Sequence, residues 1–145
     1  MLVGNSLMTQ IQGWKLSKKV GHCVVVKSFS GAATWDMKYY LKPTLEKNPQ
    51  QILLNNGTKD LGDQNPNMVA DNIVDLAQTT ESEANARVVF LELVTRSDKV
   101  TNGSIKTVNK KLRNFCNQNN WQLVQHKNNT SNDLKKSGLH LNYKG

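Results

Sequence analysis

The chain predicts an α/β protein: a three-layer α/β/α sandwich built on a five-stranded parallel sheet. Two observations predict it. Five short, continuous runs of apolar and β-branched residues, Leu2-Val3, Cys23-Val24-Val25-Val26, Ile52-Leu53-Leu54, Val88-Val89-Phe90-Leu91 and Leu123-Val124, have the signature of strands covered on both faces. Stretches of helical period separate them, so strand and helix alternate, and crossovers between parallel strands are then right-handed.

Each element has its own local reason. The first run ends in Gly4-Asn5-Ser6, a tight glycine turn. After the second run, Thr34 precedes Trp35, Met37, Tyr40 and Leu41, a helix that Pro43 ends or kinks because proline lacks the amide proton. Val69, Ile73, Leu76 and Ala77 recur at i, i+4, i+7 and i+8, behind Asn65 as cap and Pro66 at the first helical position. Ile105, Val108, Leu112 and Phe115 recur at i, i+3, i+7 and i+10, behind Asn102-Gly103-Ser104, where Asn or Ser can cap. Trp14, Trp35 and Trp121 are assigned to core or helix–sheet contacts. Trp35 has the further possibility of touching a substrate, since it follows the Gly31 loop.

Composition bounds the rest. A chain of 145 residues that is 37% hydrophobic is the size of one domain with one modest core, and it reads as a single domain over residues 1–145. It opens almost inside the first strand and stops five residues after His140, which reads as truncation at both ends. Lys and Arg number 19 against 11 Asp and Glu, a net charge of +8, which favours anionic surroundings such as nucleic acid. Cys23 and Cys116 form no Cys-x-x-Cys, and no His/Cys cluster has metal spacing, so neither metal nor cofactor is expected. No long apolar run encodes a membrane span, and the N-terminus lacks a secretion signal, which places the protein inside the cell, in the cytoplasm. Nothing in the residues sets an oligomeric state.

In open parallel sheets, ligands bind beyond the carboxyl ends of the strands, where the strand order reverses. The loops concerned are Gly4 to Leu7, Ser28 to Thr34, Asn55 to Leu61, and the segment carrying His140. Ser6 at a strand-to-helix turn and a distant His140 are how an α/β fold assembles a serine nucleophile with its base. Gly31 can bring a backbone N–H close to a ligand. His22 and His126 lack such company and are assigned structural or solvent-facing roles.

Gly4-Asn5-Ser6, Gly31 in Ser28-Phe29-Ser30-Gly31-Ala32, Gly57-Thr58-Lys59-Asp60-Leu61 and Gly138-Leu139-His140-Leu141-Asn142 resemble, in order, the four blocks of the SGNH (GDSL-type) hydrolases. Ile11-Gln12-Gly13-Trp14, Lys27 to Ala32 and His140-Leu141-Asn142 look more narrowly like the SGNH domains of LINE-type retrotransposon open reading frames. The resemblance implies a flavodoxin-like sheet and a serine ester hydrolase acting on a small acyl or acetyl ester without a cofactor. Relatives usually continue into a final helix, so the chain is expected to be a fragment of a longer reading frame.

Residue by residue, the resemblance makes Ser6 the nucleophile and His140 its base, with the backbone N–H groups of Ser6 and Gly31 as oxyanion donors. Lys59 stands where the family has a third donor, an Asn, and Ser137 where it has the Asp that holds the His. Asp133 is the carboxylate that a folded-back loop would bring in instead. Asn5 replaces the Asp of the first block, and Asn55 stands where retroelement relatives carry His before the Gly-Thr turn. Loss of the Asp role costs about 10⁴ in turnover in a serine protease, so impaired catalysis is expected. The alternative is a catalytically silent nucleic-acid- or protein-binding module, using Lys106, Lys110 and Arg113, which share one helix face at i, i+4 and i+7.

Overall fold

Residues 1–4, 8, 11–21, 23–95 and 99–126 are described in the structure, a computed structural model. The strands are β1 (Leu2–Gly4), β2 (Val26–Ser28), β3 (Gln51–Asn55), β4 (Arg87–Leu91) and β5 (Leu123–Val124). The helices are α1 (Gly13–Val20), α2 (Thr34–Leu45), α3 (Pro66–Glu83) and α4 (Lys99–Asn119), with a 3₁₀ turn at Asp60–Gly62. All four strand pairings are parallel, in the order β2-β1-β3-β4-β5. The order reverses at β1, because the chain goes out to β2 and then returns past β1 to β3. The crevice of the fold therefore lies at the carboxyl ends of β1 and β3.

Side-chain alternation sorts the strands onto two cores. Val3, Ile52, Leu54, Val88 and Phe90 pack against α2, α3 and α4, with Met37, Leu41, Ile73, Leu76, Ile105 and Leu112 opposite them. Leu2, Val26, Leu53 and Leu91 join Leu16 of α1 in the second cluster. Phe90 is fully buried, stacks on Trp121 at 5.4 Å and meets Phe115 edge-on at 6.1 Å. Truncating it to Ala should cost about 3–5 kcal/mol in a denaturant titration.

Every apolar run supplies a strand, but the expected cover on both faces holds in the centre and fails at the rims. β2 starts at Val26, not Cys23, and Cys23 and Val25 are exposed. Among the described residues β2 pairs only with β1, which puts it at an edge of the sheet. Val124, on the opposite edge strand, is likewise exposed.

Three further expectations change. Pro43 lies inside α2, which continues to Leu45. The amide it lacks would have reached the carbonyl of Tyr39, an exposed residue whose oxygen water can satisfy, and only the last turn is affected. Asn102-Gly103-Ser104 does not cap α4 but sits within it, since the helix begins at Lys99. Trp14 and Trp35 are not core residues: each is 66% exposed, and only Trp121 packs as expected.

Helix α1 carries no buried residue, which is why no apolar period announced it. Polar bonds pin it instead. Ser17 Oγ donates to the Gly13 carbonyl at 2.9 Å and accepts from the Val24 N–H at 2.7 Å. A Cβ on Gly13 would stand 2.8 Å from the Val24 carbonyl, so only glycine permits this approach. Gly103, by contrast, has open space around it in an exposed helix interior. Gly103→Ala should therefore stabilise the protein by about 0.5–1 kcal/mol, a rise of roughly 2–4 °C in a thermal melt.

Candidate active site

Among the described residues, the crevice is built by the end of β1 and the loops after β2 and β3, which interlock. At the end of β1, a Cβ on Gly4 would stand 2.8 Å from the Asn55 carbonyl, so glycine lets the ends of β1 and β3 close up. The Gly4 carbonyl accepts from the Phe29 N–H at 2.9 Å, which draws the loop after β2 over the end of β1. In that loop Gly31 takes φ +73°, a left-handed conformation that suits glycine. Its N–H makes no hydrogen bond among the described residues, whereas the neighbouring Ala32 N–H closes a turn onto the Phe29 carbonyl at 3.1 Å. Gly31 is exposed. The result is a backbone donor without a partner among the described residues, at the carboxyl edge of the sheet.

The loop after β3 holds this one in place. Asp60 is buried, and its carboxylate accepts from the Thr34 N–H at 3.1 and 3.2 Å and from the Thr34 hydroxyl at 3.0 Å. A buried anion thus satisfies the start of α2 and offsets its dipole. On the other side of Thr34, Asp36 Oδ2 accepts from the Ala33 N–H at 3.0 Å. Lys59, next to Asp60, donates through Nζ to the Gly31 carbonyl at 2.5 Å. Its ammonium therefore braces the residue whose N–H has no partner among the described residues. Gly57 turns the loop at φ +113°, where a Cβ would meet Ile73 Cδ1 at 2.6 Å.

A buried polar group follows β3 and β4, of which the sequence had named Asn55, Arg113 and His126 but not Asn56, Glu92 or Asn109. Asn55 is fully buried and donates from Nδ2 to the Glu92 carbonyl at 3.0 Å. Glu92 Oε1 takes the Arg113 guanidinium at 2.5 Å, and Oε2 lies 3.4 Å from the His126 N–H. Asn109 clasps Leu93 through its N–H and carbonyl at 2.8 and 3.0 Å. Asn56 is buried with both amide atoms unpaired, and the Thr58 hydroxyl is also unpaired. Such groups in native proteins take a water or ligand partner, since leaving one bare costs about 1–3 kcal/mol. The available signal was the repeated Asn55-Asn56 directly after an apolar strand at the switch point.

His126 has its Nε2 buried without a partner, and burial pulls its pKa below the ordinary histidine value, outweighing the Glu92 carboxylate that pushes it up. The unfolded chain thus binds this proton more readily than the folded one. The His126 contribution to stability should be complete above about pH 6.5, the unfolded value, and be lost as pH falls below it and through the lowered folded value. Melting temperatures from pH 8 to 5 should fall less for His126→Gln than for the parent. Burial likewise pushes the Cys116 thiol up, leaving it unreactive.

The structure thus brings Gly31 and Lys59 together. Ser6, Asn5, His22, Asp133, Ser137 and His140 lie outside the described residues. On α4, Lys106 and Lys110 are exposed as the sequence suggested, but Arg113 is engaged by Glu92, and Lys111 reaches Asp71 at 3.8 Å. Among the described residues no group of three His, Cys, Asp or Glu side chains comes together to hold a metal ion, and no helix is long and apolar enough to cross a membrane.

No family model matches the chain, and no curated protein matches it in sequence. Solved structures do match in fold. A GDSL-like lipase from Bacteroides thetaiotaomicron is 16% identical with a TM-score of 0.79, the match covering 99% of this chain and 79% of that one. A lipase/acylhydrolase from Enterococcus faecalis is 17% identical with a TM-score of 0.76 over 99% and 87%. A carbohydrate esterase family 3 protein from Talaromyces cellulolyticus is 16% identical with a TM-score of 0.79 over 99% and 88%. At these identities the likeness is one of fold: the chain has the five-stranded parallel α/β fold of the SGNH hydrolases.

Proposed function

We propose that the protein is an SGNH-type serine ester hydrolase for small acyl or acetyl esters, with activity reduced by substitutions at its own centre. The observation that carries this reading is the Gly31 N–H, which has no partner among the described residues, at the carboxyl edge of the sheet, with the Lys59 ammonium on the carbonyl of the same residue. That is an oxyanion donor held ready before any charge develops.

In this mechanism Ser6 Oγ attacks the ester carbonyl while His140 takes its proton. The oxyanion of the tetrahedral intermediate is met by the N–H groups of Ser6 and Gly31. His140 then protonates the departing alkoxide, and water, activated by the same imidazole, releases the acid and restores Ser6. Lys59 is a weaker third donor than the family amide, since one of its protons already serves the Gly31 carbonyl and its stem is flexible. Ser137 cannot support the imidazolium as a carboxylate does. The chain is read as one domain of retroelement ancestry, on the strength of its sequence blocks.

Hydrolysis of a short-chain aryl ester by purified protein tests the reading. Ser6→Ala should abolish turnover without lowering the melting temperature; turnover that survives the substitution would remove Ser6 from its role. The alternative, a silent module that binds nucleic acid or protein, draws on exposed Lys106 and Lys110. It carries less weight because Arg113, the residue best suited to phosphate, is committed to Glu92. RNA affinity that falls steeply with salt and with Lys110→Ala would favour it.

A further inference from the structure

A second feature adjoins the Gly31 loop. Between α2 and α3 lies a cleft of about 220 Å³, walled by Trp35, Lys38, Gln64, Asn72 and Asp75. It reaches the oxyanion loops directly, since Thr34 and Asp60 form its inner end, three residues beyond Gly31 and one beyond Lys59.

The chemistry of these walls is specific. Trp35 lies in the cleft wall at 66% exposure, an indole with no core to join, with the Lys38 ammonium over its ring at 6.0 Å from the centre. Tyr39 meets the ring edge-on at 6.0 Å and fixes its tilt. The polar groups around it are already paired with one another: Asn72 Nδ2 donates to Gln64 Oε1 at 3.2 Å, and Lys38 Nζ to Asp75 Oδ2 at 2.7 Å. Pairing holds the side chains in place and leaves the other amide and carboxylate atoms of the three residues to face a ligand. The Lys38 and Asp75 charges cancel, and the Asp60 carboxylate at the inner end is taken up by the Thr34 amide and hydroxyl, so the cleft favours neither an anion nor a cation. Its volume is below the roughly 300–1,000 Å³ of drug-sized pockets, which suits one small ring rather than an acyl chain. A neutral pyranose meets each demand. Its C–H face lies on the negative face of an indole, and its hydroxyls both donate and accept toward amides and a carboxylate.

We propose that this cleft is a subsite for a neutral sugar ring, so that the ester presented to Gly31 is that of an acylated carbohydrate. The proposal rests on the ester-hydrolase reading for its catalytic meaning, but sugar binding is measurable without turnover.

Saturation-transfer NMR of glucose, xylose and N-acetylglucosamine with the full chain is the test. Ring C–H protons of at least one sugar should receive saturation, with affinity falling at least ten-fold in Trp35→Ala and several-fold in Asn72→Ala. Ser6→Ala should bind as the parent does, as should Trp14→Ala, which removes an equally exposed indole on another helix. No saturation of any of the three sugars by folded protein, or undiminished binding in Trp35→Ala, would overturn the subsite. Sugar binding without aryl-ester turnover would keep the subsite and overturn the hydrolase reading, whereas turnover without sugar binding would do the reverse.

Discussion

Ser137→Asp combined with Lys59→Asn should raise aryl-ester turnover by about 10²–10⁴-fold over the parent. The two changes act on different charges. An Asp three residues before His140 holds the imidazole in its useful tautomer and supports the imidazolium formed when Ser6 gives up its proton, the role whose loss costs about 10⁴ in a serine protease. An Asn at position 59 removes the bond from Lys59 Nζ to the Gly31 carbonyl and replaces it with a short amide that can donate to the oxyanion, a contribution of about 10²–10³ where one such donor has been removed elsewhere. The single changes separate the effects: Ser137→Asp should account for most of the gain. A folded double variant with no gain over the parent would show that position 137 does not face the base.

Asp60→Ala should lower stability by about 3 kcal/mol, a fall of roughly 10 °C in a thermal melt. The carboxylate is buried, and all three of its hydrogen bonds go to Thr34, so its loss strands an amide and a hydroxyl at the start of α2 without water to replace it. Since the Thr34 amide and the Gly31 amide belong to one loop, aryl-ester turnover should fall further than stability alone explains. Asp60→Asn, which keeps the shape and one acceptor, should recover about half of the stability. A melt unchanged in Asp60→Ala would show that the loop is held by Lys59 and the Gly57 turn instead.

The parts legible in the sequence are those written in local spacing. Four of the five strands, α3 with its Asn65 cap and Pro66, and the apolar stripe of α4 were read correctly, because residues a few positions apart meet on one face and leave a period behind. Asn65 Oδ1 accepts from the Asn67 N–H at 2.9 Å, a bond entirely within its own turn. The alternation of elements then set the fold class, since parallel neighbours require crossovers.

What the sequence could not show depends on partners far along the chain. Val25 is as apolar as Val89, yet it is exposed, because the strand order puts β2 at an edge and β4 inside. Helix α1 buries no residue fully and is held in part by hydroxyl and carbonyl bonds, which a search for buried apolar stripes does not find. Trp14 and Trp35 carry the same side chain as Trp121, but only Trp121 has Phe90 and Phe115 to pack against. The sequence put Lys59 in the place of the third oxyanion donor, but not on the Gly31 carbonyl, where the structure has its ammonium. The sheet brings it to Gly31, 28 residues away, and brings Asp60 to Thr34 across 26. By itself, then, the sequence determined most of the strands and helices and their order, with α1 and the bounds of β2 as the exceptions. Tertiary structure decided which faces meet solvent and how the oxyanion loop is held, because burial and buried hydrogen bonds belong to pairs of residues that only the folded sheet brings together.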